Sequence, residues 1–187
     1  MVPTLVDRRW TVLMPEHRAQ RPGWRYWEQE RLSYMHAVIR PGDVVWEIGA
    51  EQGDMSVLYA LWGADVVLIE PDCGFWPNLR RIFEVNGVAD RVVGTYQGFV
   101  GQVAYEFVQQ RPRARAFWPA CADGPLSGDR PSLSLAAGDE GQRCSLDDLL
   151  SAYGPPDVVS IDIDGAEYQA LLGADRLFAE ARPILFV

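Results

Sequence analysis

The apolar positions of the chain fall into short runs between turn residues, and five of these runs read as strands. Val44 to Ile48 is the first, unbroken by polar alternation except at Glu47. Such a run fits a strand covered on both faces. Asp65 to Glu70 is the second, Arg91 to Gln97 the third, Asp157 to Ile163 the fourth and Pro183 to Val187 the fifth. Helical stretches lie between them: Asp54 to Trp62, a segment after the loop Pro71–Gly74 that ends at Asn86-Gly87, a helix opening at Cys144–Leu150, and Ala166 to Leu172. Ser145 is the expected N-cap of the third, with Asp147 and Asp148 in its first turn. Gly154-Pro155-Pro156 ends it. Strands alternating with helices predict an α/β fold with a mostly parallel sheet.

Two regions depart from this rhythm. Residues 1–23 place Pro3, Pro15, Pro22 and Gly23 around a short apolar run, Trp10 to Met14, which predicts an extended arm or an edge strand. Residues 24–39 predict a helix with Trp24, Trp27, Leu32, Met35 and Ile39 on one face, broken by Pro41-Gly42. Residues 1–40 are thus an arm and a covering helix, and 41–187 form the α/β domain. Residues 101–143 form a loop-rich insertion. It contains a possible strand at Val103–Val108, an alternating basic run of Arg111, Arg113 and Arg115, and a stretch rich in Gly, Pro, Ser and Asp from Cys121 to Gly141. A connection of this length points to a functional loop. Its arginines fit a solvated face or a grip on an anionic acceptor.

The chemistry gathers at the strand ends. The first strand closes on Glu47-Ile48-Gly49-Ala50-Glu51-Gln52-Gly53, and the helix follows. Gly49 lets the backbone turn without a Cβ, so a ligand can approach closely. Gly53 permits close packing where the helix begins, and the N–H groups there attract an anion. The second strand closes on Glu70, 21 residues after Gly49, the spacing of a strand–helix–strand unit whose second acid accepts hydrogen bonds from a ribose. A dinucleotide site favours G-x-G-x-x-G, whereas this chain reads Glu-x-Gly-x-x-x-Gly. Glu47 would repel a pyrophosphate and suits the cationic amino-acid end of S-adenosylmethionine (SAM). A nicotinamide dinucleotide, or a tight turn that binds nothing, are the competing readings. Gln97 and Phe99, at the third strand end, could bring an amide and a ring to an adenine, although Phe99 also fits a core position. His36, on the covering helix, is a candidate general base or a plain surface or core histidine. His17 is a weaker candidate of the same kind.

Composition narrows the classes. The chain has 187 residues, 48% of them hydrophobic, enough for one compact domain. No run of about 20 apolar residues predicts a transmembrane helix, and the charged N-terminus does not resemble a signal peptide. The net charge of −9 disfavours a duplex nucleic acid partner. All 17 basic residues are arginine, which removes Schiff-base chemistry on lysine. Cys73, Cys121 and Cys144 are widely spaced, form no C-x-x-C pair, and read as reduced thiols of a cytoplasmic protein.

The ordered series Val45-Trp-Glu-Ile-Gly-Ala-x-x-Gly53, Ile69-Glu-Pro71, Asn86-Gly87, Ser145-Leu-Asp-Asp-Leu149, Ile161-Asp-Ile-Asp-Gly-Ala-Glu167, Leu172-Gly-Ala174 and Arg182-Pro183 resembles the FkbM-type SAM-dependent methyltransferases. The resemblance covers about residues 40–187. It implies a Rossmann-like class I methyltransferase fold of strand order 3-2-1-4-5 continued by 7 and 6, from which this sequence is expected to depart in lacking strands 6 and 7. It implies O-methylation, commonly of sugar or polyketide-type hydroxyls, on a small-molecule or glycan acceptor. By position, Glu47, Gly49, Ala50 and Gly53 would line the methionine end of SAM, while Glu70 and Pro71 would hold the ribose. Asp162 would lie beside the methyl group. Asp162, Asp164 and Glu167 are then candidate bases, ligands for Mg²⁺, or caps of the helix that follows. Glu47 stands where the family usually has Asp, Asp164 where it has Glu, and Glu51 where it has Asn. The extra carboxylate of Glu51 is expected to weaken binding of the SAM carboxylate unless it points to solvent. An open edge at the fifth strand predicts pairing with a second chain, as in a homodimer, or with the N-terminal arm, or else a shortened form. A methyltransferase fold kept as a non-catalytic binding module and a nucleotide-linked oxidoreductase are the rival functions.

Overall fold

A computed structural model describes residues 1–102, 118–128 and 143–187. The expected strand at Val103–Val108 and the Arg111–Arg115 run lie outside the described residues. The chain opens with a β-hairpin, β1 (Val2–Val6) and β2 (Trp10–Met14), in register from Val2 opposite Met14 to Val6 opposite Trp10. Asp7 and Arg8, both at positive φ, make its turn. A one-turn helix, α1 (Glu16–Ala19), and a 3₁₀ turn at Trp24–Tyr26 precede α2 (Gln29–Val38). The helix expected over 24–39 therefore begins later. Glu28 sits in the left-handed region, and the Trp24 indole N–H is tied back to the Arg18 carbonyl at 2.7 Å.

The central unit follows the expected alternation: β3 (Val44–Ile48), α3 (Ser56–Leu61), β4 (Asp65–Ile69), α4 (Trp76–Val85), β5 (Val92–Tyr96). A two-residue parallel pair, β6 (Phe99–Val100) with β7 (Arg143–Cys144), brackets the insertion. Then come α5 (Leu146–Tyr153), β8 (Val158–Ile161), α6 (Glu167–Leu171), a π-turn at Leu177–Ala181 and β9 (Ile184–Phe186). Ser145 caps α5 as its sequence position predicts: its side chain accepts from Asp148 N–H and Asp148 returns the bond. The five-stranded sheet has the order β5-β4-β3-β8-β9, parallel at every pairing. This is the class I order 3-2-1-4-5.

Alternate residues of each strand feed two apolar layers. Val45, Val66, Leu68 and Val158 face α2, α3, α4 and the hairpin; Trp46, Ile48, Val67, Ile69, Val159 and Ile161 face α5, α6 and Leu177. The hairpin packs Val6, Val12 and Met14 into the first layer as a sheet of its own. It does not extend the β9 edge, which corrects that alternative. Its apolar face is already spent on the core. No described helix is long and apolar enough to cross a membrane.

Two glycines fix how closely the layers approach. A Cβ on Gly53 would lie 2.9 Å from Ile82 Cγ2, so α3 begins pressed against α4 as expected. A Cβ on Gly49 would lie 2.0 Å from the carbonyl oxygen of Asp162. The close approach at Gly49 is thus to the chain's own β8 end, not to open space for a ligand. Gly49→Ala is expected to lower the unfolding free energy by about 3 kcal/mol or more, from steric overlap and left-handed strain together. Gly42→Ala has a similar φ of 90° but nothing within 4 Å, and should cost only about 1 kcal/mol. Urea unfolding of the two variants separates the contributions.

Candidate functional site

The sheet reverses direction at β3: β4 and β5 are added on one side, β8 and β9 on the other. In an open parallel sheet the crevice beyond the carboxyl ends at such a point is where ligands bind. Glu47 is in register with Leu68 and with Ser160. Glu70 and Asp162 lie two residues beyond these, so all three carboxylates issue from one face at three neighbouring strand ends. Glu47, Glu70 and Asp162 thus stand at the ends of three adjacent strands.

Their environments differ. Glu47 is 3% exposed, beside the Ser160 and Tyr59 hydroxyls and the Arg31 guanidinium. Burial dominates and pushes its carboxyl up to about 8. Among the described residues its Oε2 has no hydrogen-bond partner. An orphaned acidic oxygen at the switch point suits a cationic group. Glu70 is also buried, but both its oxygens are engaged. Oε2 accepts from Glu51 N–H at 2.8 Å and Oε1 from Asp72 N–H at 2.7 Å. Burial raises it to about 7 despite these bonds. A carboxylate has about four acceptor sites, so each oxygen keeps capacity for a hydroxyl donor. Asp162 is the open member, its side chain 65% exposed and 3.7 Å from Arg31. Arg31 also donates to Ser160 Oγ at 2.9 Å, which fixes it between Glu47 and Asp162.

The glycine turn is tied up by its own chain. Gly49 and Ala50 N–H both donate to the Ile69 carbonyl, at 2.9 and 3.0 Å. The N-terminal segment clasps the turn from the other side. Arg18, 3% exposed, pairs with Glu51 at 3.2 Å and with Asp54. Glu51 is thus neither a free repulsive charge nor simply a solvent-facing one; it is held by an arginine from α1. His17 Nε2 lies 2.9 Å from Gln52 Oε1. The roles in that bond follow from Asn78. Ser127 N–H donates to Asn78 Oδ1 and Asn78 Nδ2 donates to Ser127 O, so the same Nδ2 donates to Gln52 Oε1. Gln52 Oε1 is an acceptor, and His17 carries its proton on Nε2. An open groove of about 420 Å³, lined by Pro15, His17, Gln20, Leu126 and Ser127, runs beside this network.

Other expected residues fall elsewhere. His36 does not join the site. It stacks against Trp10 and Trp62 with ring centroids 5.2 and 5.0 Å away, near the end of α2 that leads into the amino end of β3. Packed on Trp10 and Trp62, His36 lies away from the carboxyl ends of the strands. Phe99 carries the Arg143 guanidinium 5.7 Å from its ring centre, so that face is already taken. Gln97 lies between two thiols, donating to Cys73 Sγ at 2.7 Å and accepting from Cys121 Sγ at 3.6 Å. Pro71 is half-buried in the loop after Glu70. Asp164 is exposed at φ 53°. Glu167 Oε1 accepts from Ile163 and Gly165 N–H, which makes it a cap of the loop into α6, and bonds from backbone N–H groups, its own foremost and then those of Gly165 and Ile163, lower its carboxyl. Among the described residues no three His, Cys, Asp or Glu side chains gather as a metal-holding group. Arg18, Arg31, Tyr59 and Ser160 escaped sequence reasoning. Ser160 alone left a signal: it is the one small polar residue inside the apolar run Val158–Ile161.

Strand order and acid placement define a class I methyltransferase-type fold. The family model of the methyltransferase FkbM domain matches residues 43–187, and the chain belongs to that family. Among solved structures it is similar to a methyltransferase FkbM from Methylobacillus flagellatus KT: 19% identity, 96% of this chain and 45% of that one, TM-score 0.51. It is also similar to the C-terminal domain of precorrin-6Y C5,15-methyltransferase from Rhodobacter capsulatus: 18% identity, 81% and 56% of the two chains, TM-score 0.45. A third is a SAM-dependent methyltransferase from Thiobacillus denitrificans in complex with S-adenosyl-L-homocysteine: 18% identity, 81% and 43%, TM-score 0.43. The chain spans about half the length of these structures. No curated protein matches it.

The raised Glu47 has a stability consequence. Between its ordinary value of 4.5 and its folded value of about 8 the folded protein holds a proton that the unfolded chain releases. Its contribution is complete below pH 4.5 and is lost as pH rises through 8. Glu47→Gln removes that loss. The variant should be more stable than the parent at pH 8 by about 2–4 kcal/mol, with the difference vanishing near pH 4.5, as read by urea unfolding across pH.

Proposed function

We propose that this domain binds SAM and transfers its methyl group to a hydroxyl oxygen of a sugar, glycan or small natural-product acceptor. The observation that carries the reading is the trio Glu47, Glu70 and Asp162 on one face of adjacent strand ends at the sheet's switch point. Membership of the FkbM family supports it. The bound S-adenosyl-L-homocysteine of the Thiobacillus denitrificans protein is a property of that protein alone.

The residues fit such a cofactor in kind. The unpartnered Glu47 oxygen would meet the cationic methionine end, and the spare acceptor capacity of Glu70 would meet the ribose hydroxyls. Bound there, SAM supplies an electrophilic methyl on a sulfonium. Asp162, exposed at the β8 end, would accept the proton that an acceptor hydroxyl gives up as it attacks. Arg31, 3.7 Å from Asp162, would hold that carboxylate in position at the strand end. The low exposure of Glu47 and Tyr59 keeps water from the centre of the sheet end.

A second reading is a methyltransferase fold kept as a binding module. It is favoured by the self-contained turn, whose Gly49 and Ala50 N–H groups and Glu70 oxygens are all engaged internally. Calorimetry with S-adenosylhomocysteine and single-turnover assays with labelled SAM distinguish the two. On the methyltransferase reading Glu70→Gln weakens binding about tenfold, equal to about 1.4 kcal/mol. Asp162→Asn leaves affinity near the parent value and lowers turnover about 10²- to 10⁴-fold. Affinity without turnover on any hydroxyl acceptor supports the module, and heat with NADH but not with S-adenosylhomocysteine overturns both.

A further inference from the structure

Cys73 and Cys121 lie 48 positions apart in the chain, yet the fold brings them to one spot. Cys73 is in the loop after β4, exposed, and Cys121 is in a 3₁₀ turn, Ala120–Asp123. Both thiols bond to one side-chain amide, that of Gln97 just beyond β5, at 2.7 and 3.6 Å. The segment carrying Cys121 is fastened in place. Trp118 packs edge-on against Trp76 and Phe83, Arg80 pairs with Asp123, and Ser127 Oγ donates to the Gly74 carbonyl at 2.8 Å. These contacts hold Cys121 against the very loop that carries Cys73. The third cysteine, Cys144, is fully buried in the opposite apolar layer and takes no part.

We propose that Cys73 and Cys121 are a dithiol modification site, which a low-molecular-weight disulfide such as oxidised glutathione converts to an intramolecular disulfide. The order of events follows from exposure. Cys73, reachable from solvent and contacted by the Gln97 N–H, attacks one glutathione sulfur and releases one glutathione. Cys121 then attacks the Cys73 sulfur of the mixed disulfide and displaces the second glutathione. Two protein thiols are oxidised, one glutathione disulfide is reduced, and the two thiol protons end on the departing glutathiones. Burial and the neighbouring Cys73 push the Cys121 thiol up, so little of it is thiolate, and the second step relies on its being intramolecular. The bond would staple residues 118–128 to the β4–α4 loop across the ends of β4 and β5. It does not depend on the cofactor reading.

The test uses the full chain at pH 8.5 with oxidised glutathione, followed by alkylation, trypsin and mass spectrometry. Cleavage at arginine places the cysteines in separate peptides, 32–80, 116–143 and 144–176. The expected result is an intact mass lower by two hydrogens, peptide 32–80 linked to 116–143, Cys144 alkylated, and full reversal by dithiothreitol. Cys121→Ser should instead stop at a glutathione adduct on Cys73. Separate glutathione adducts on Cys73 and Cys121 in the parent, a link to Cys144, or no change in mass each overturns the proposal.

Discussion

The contact between Gly49 and the Asp162 carbonyl is the constraint on which the rest of the molecule turns. At that point β3 ends, the chain reverses into α3, and β8 arrives alongside with no room for a side chain between them. A residue with a Cβ would push the two strand ends apart. Glu47 and Ser160 would then lose their register, and Arg31 could not span from Ser160 to Asp162. Backbone proximity thus sets the distance between the carboxylates, and so sets what the site can hold.

Around that contact the acids are held in three different states by their neighbours. Glu47 is surrounded by hydroxyls and a guanidinium but is too deeply buried to ionise easily. Glu70 is spent partly on fastening the glycine turn to the loop after β4. Asp162 faces solvent with an arginine beside it. One strongly acidic cluster is thereby divided into a buried member held protonated, a structural member and a solvent-facing one paired with arginine. The N-terminal segment completes the division, because Arg18 neutralises Glu51 and Asp54 next to the turn.

Much of the fold was legible in the chain. The strands at 44–48 and 65–69 and the α5 cap at Ser145 followed from apolar runs bounded by Gly, Pro, Asn and Ser, while the order of the sheet followed from the family resemblance. Those signals are local: a run of β-branched residues or a capping hydroxyl acts on its immediate neighbours. The hairpin was half legible, since Trp10–Met14 stood out while Val2–Val6 carries a proline and alternates in burial. The late start of α2 was hidden, because a left-handed Glu28 and a tethered Trp24 depend on Arg18 and Gly23 being in place.

The sequence by itself determined which residues stand at strand ends, Glu47, Glu70 and Asp162 among them. Strand period suffices for that, while the register that sets them on one face came with the packed sheet. Only the tertiary structure decided what each acid touches. Arg18 and Arg31 come from segments whose docking depends on the hairpin and α2 packing their apolar faces into the core. His36 was drawn to a tryptophan pair at the wrong end of the sheet, and Cys73 met Cys121 through a turn packed on α4. Such pairings join residues tens of positions apart. They follow from the close packing of whole layers, and no run of neighbouring residues encodes them.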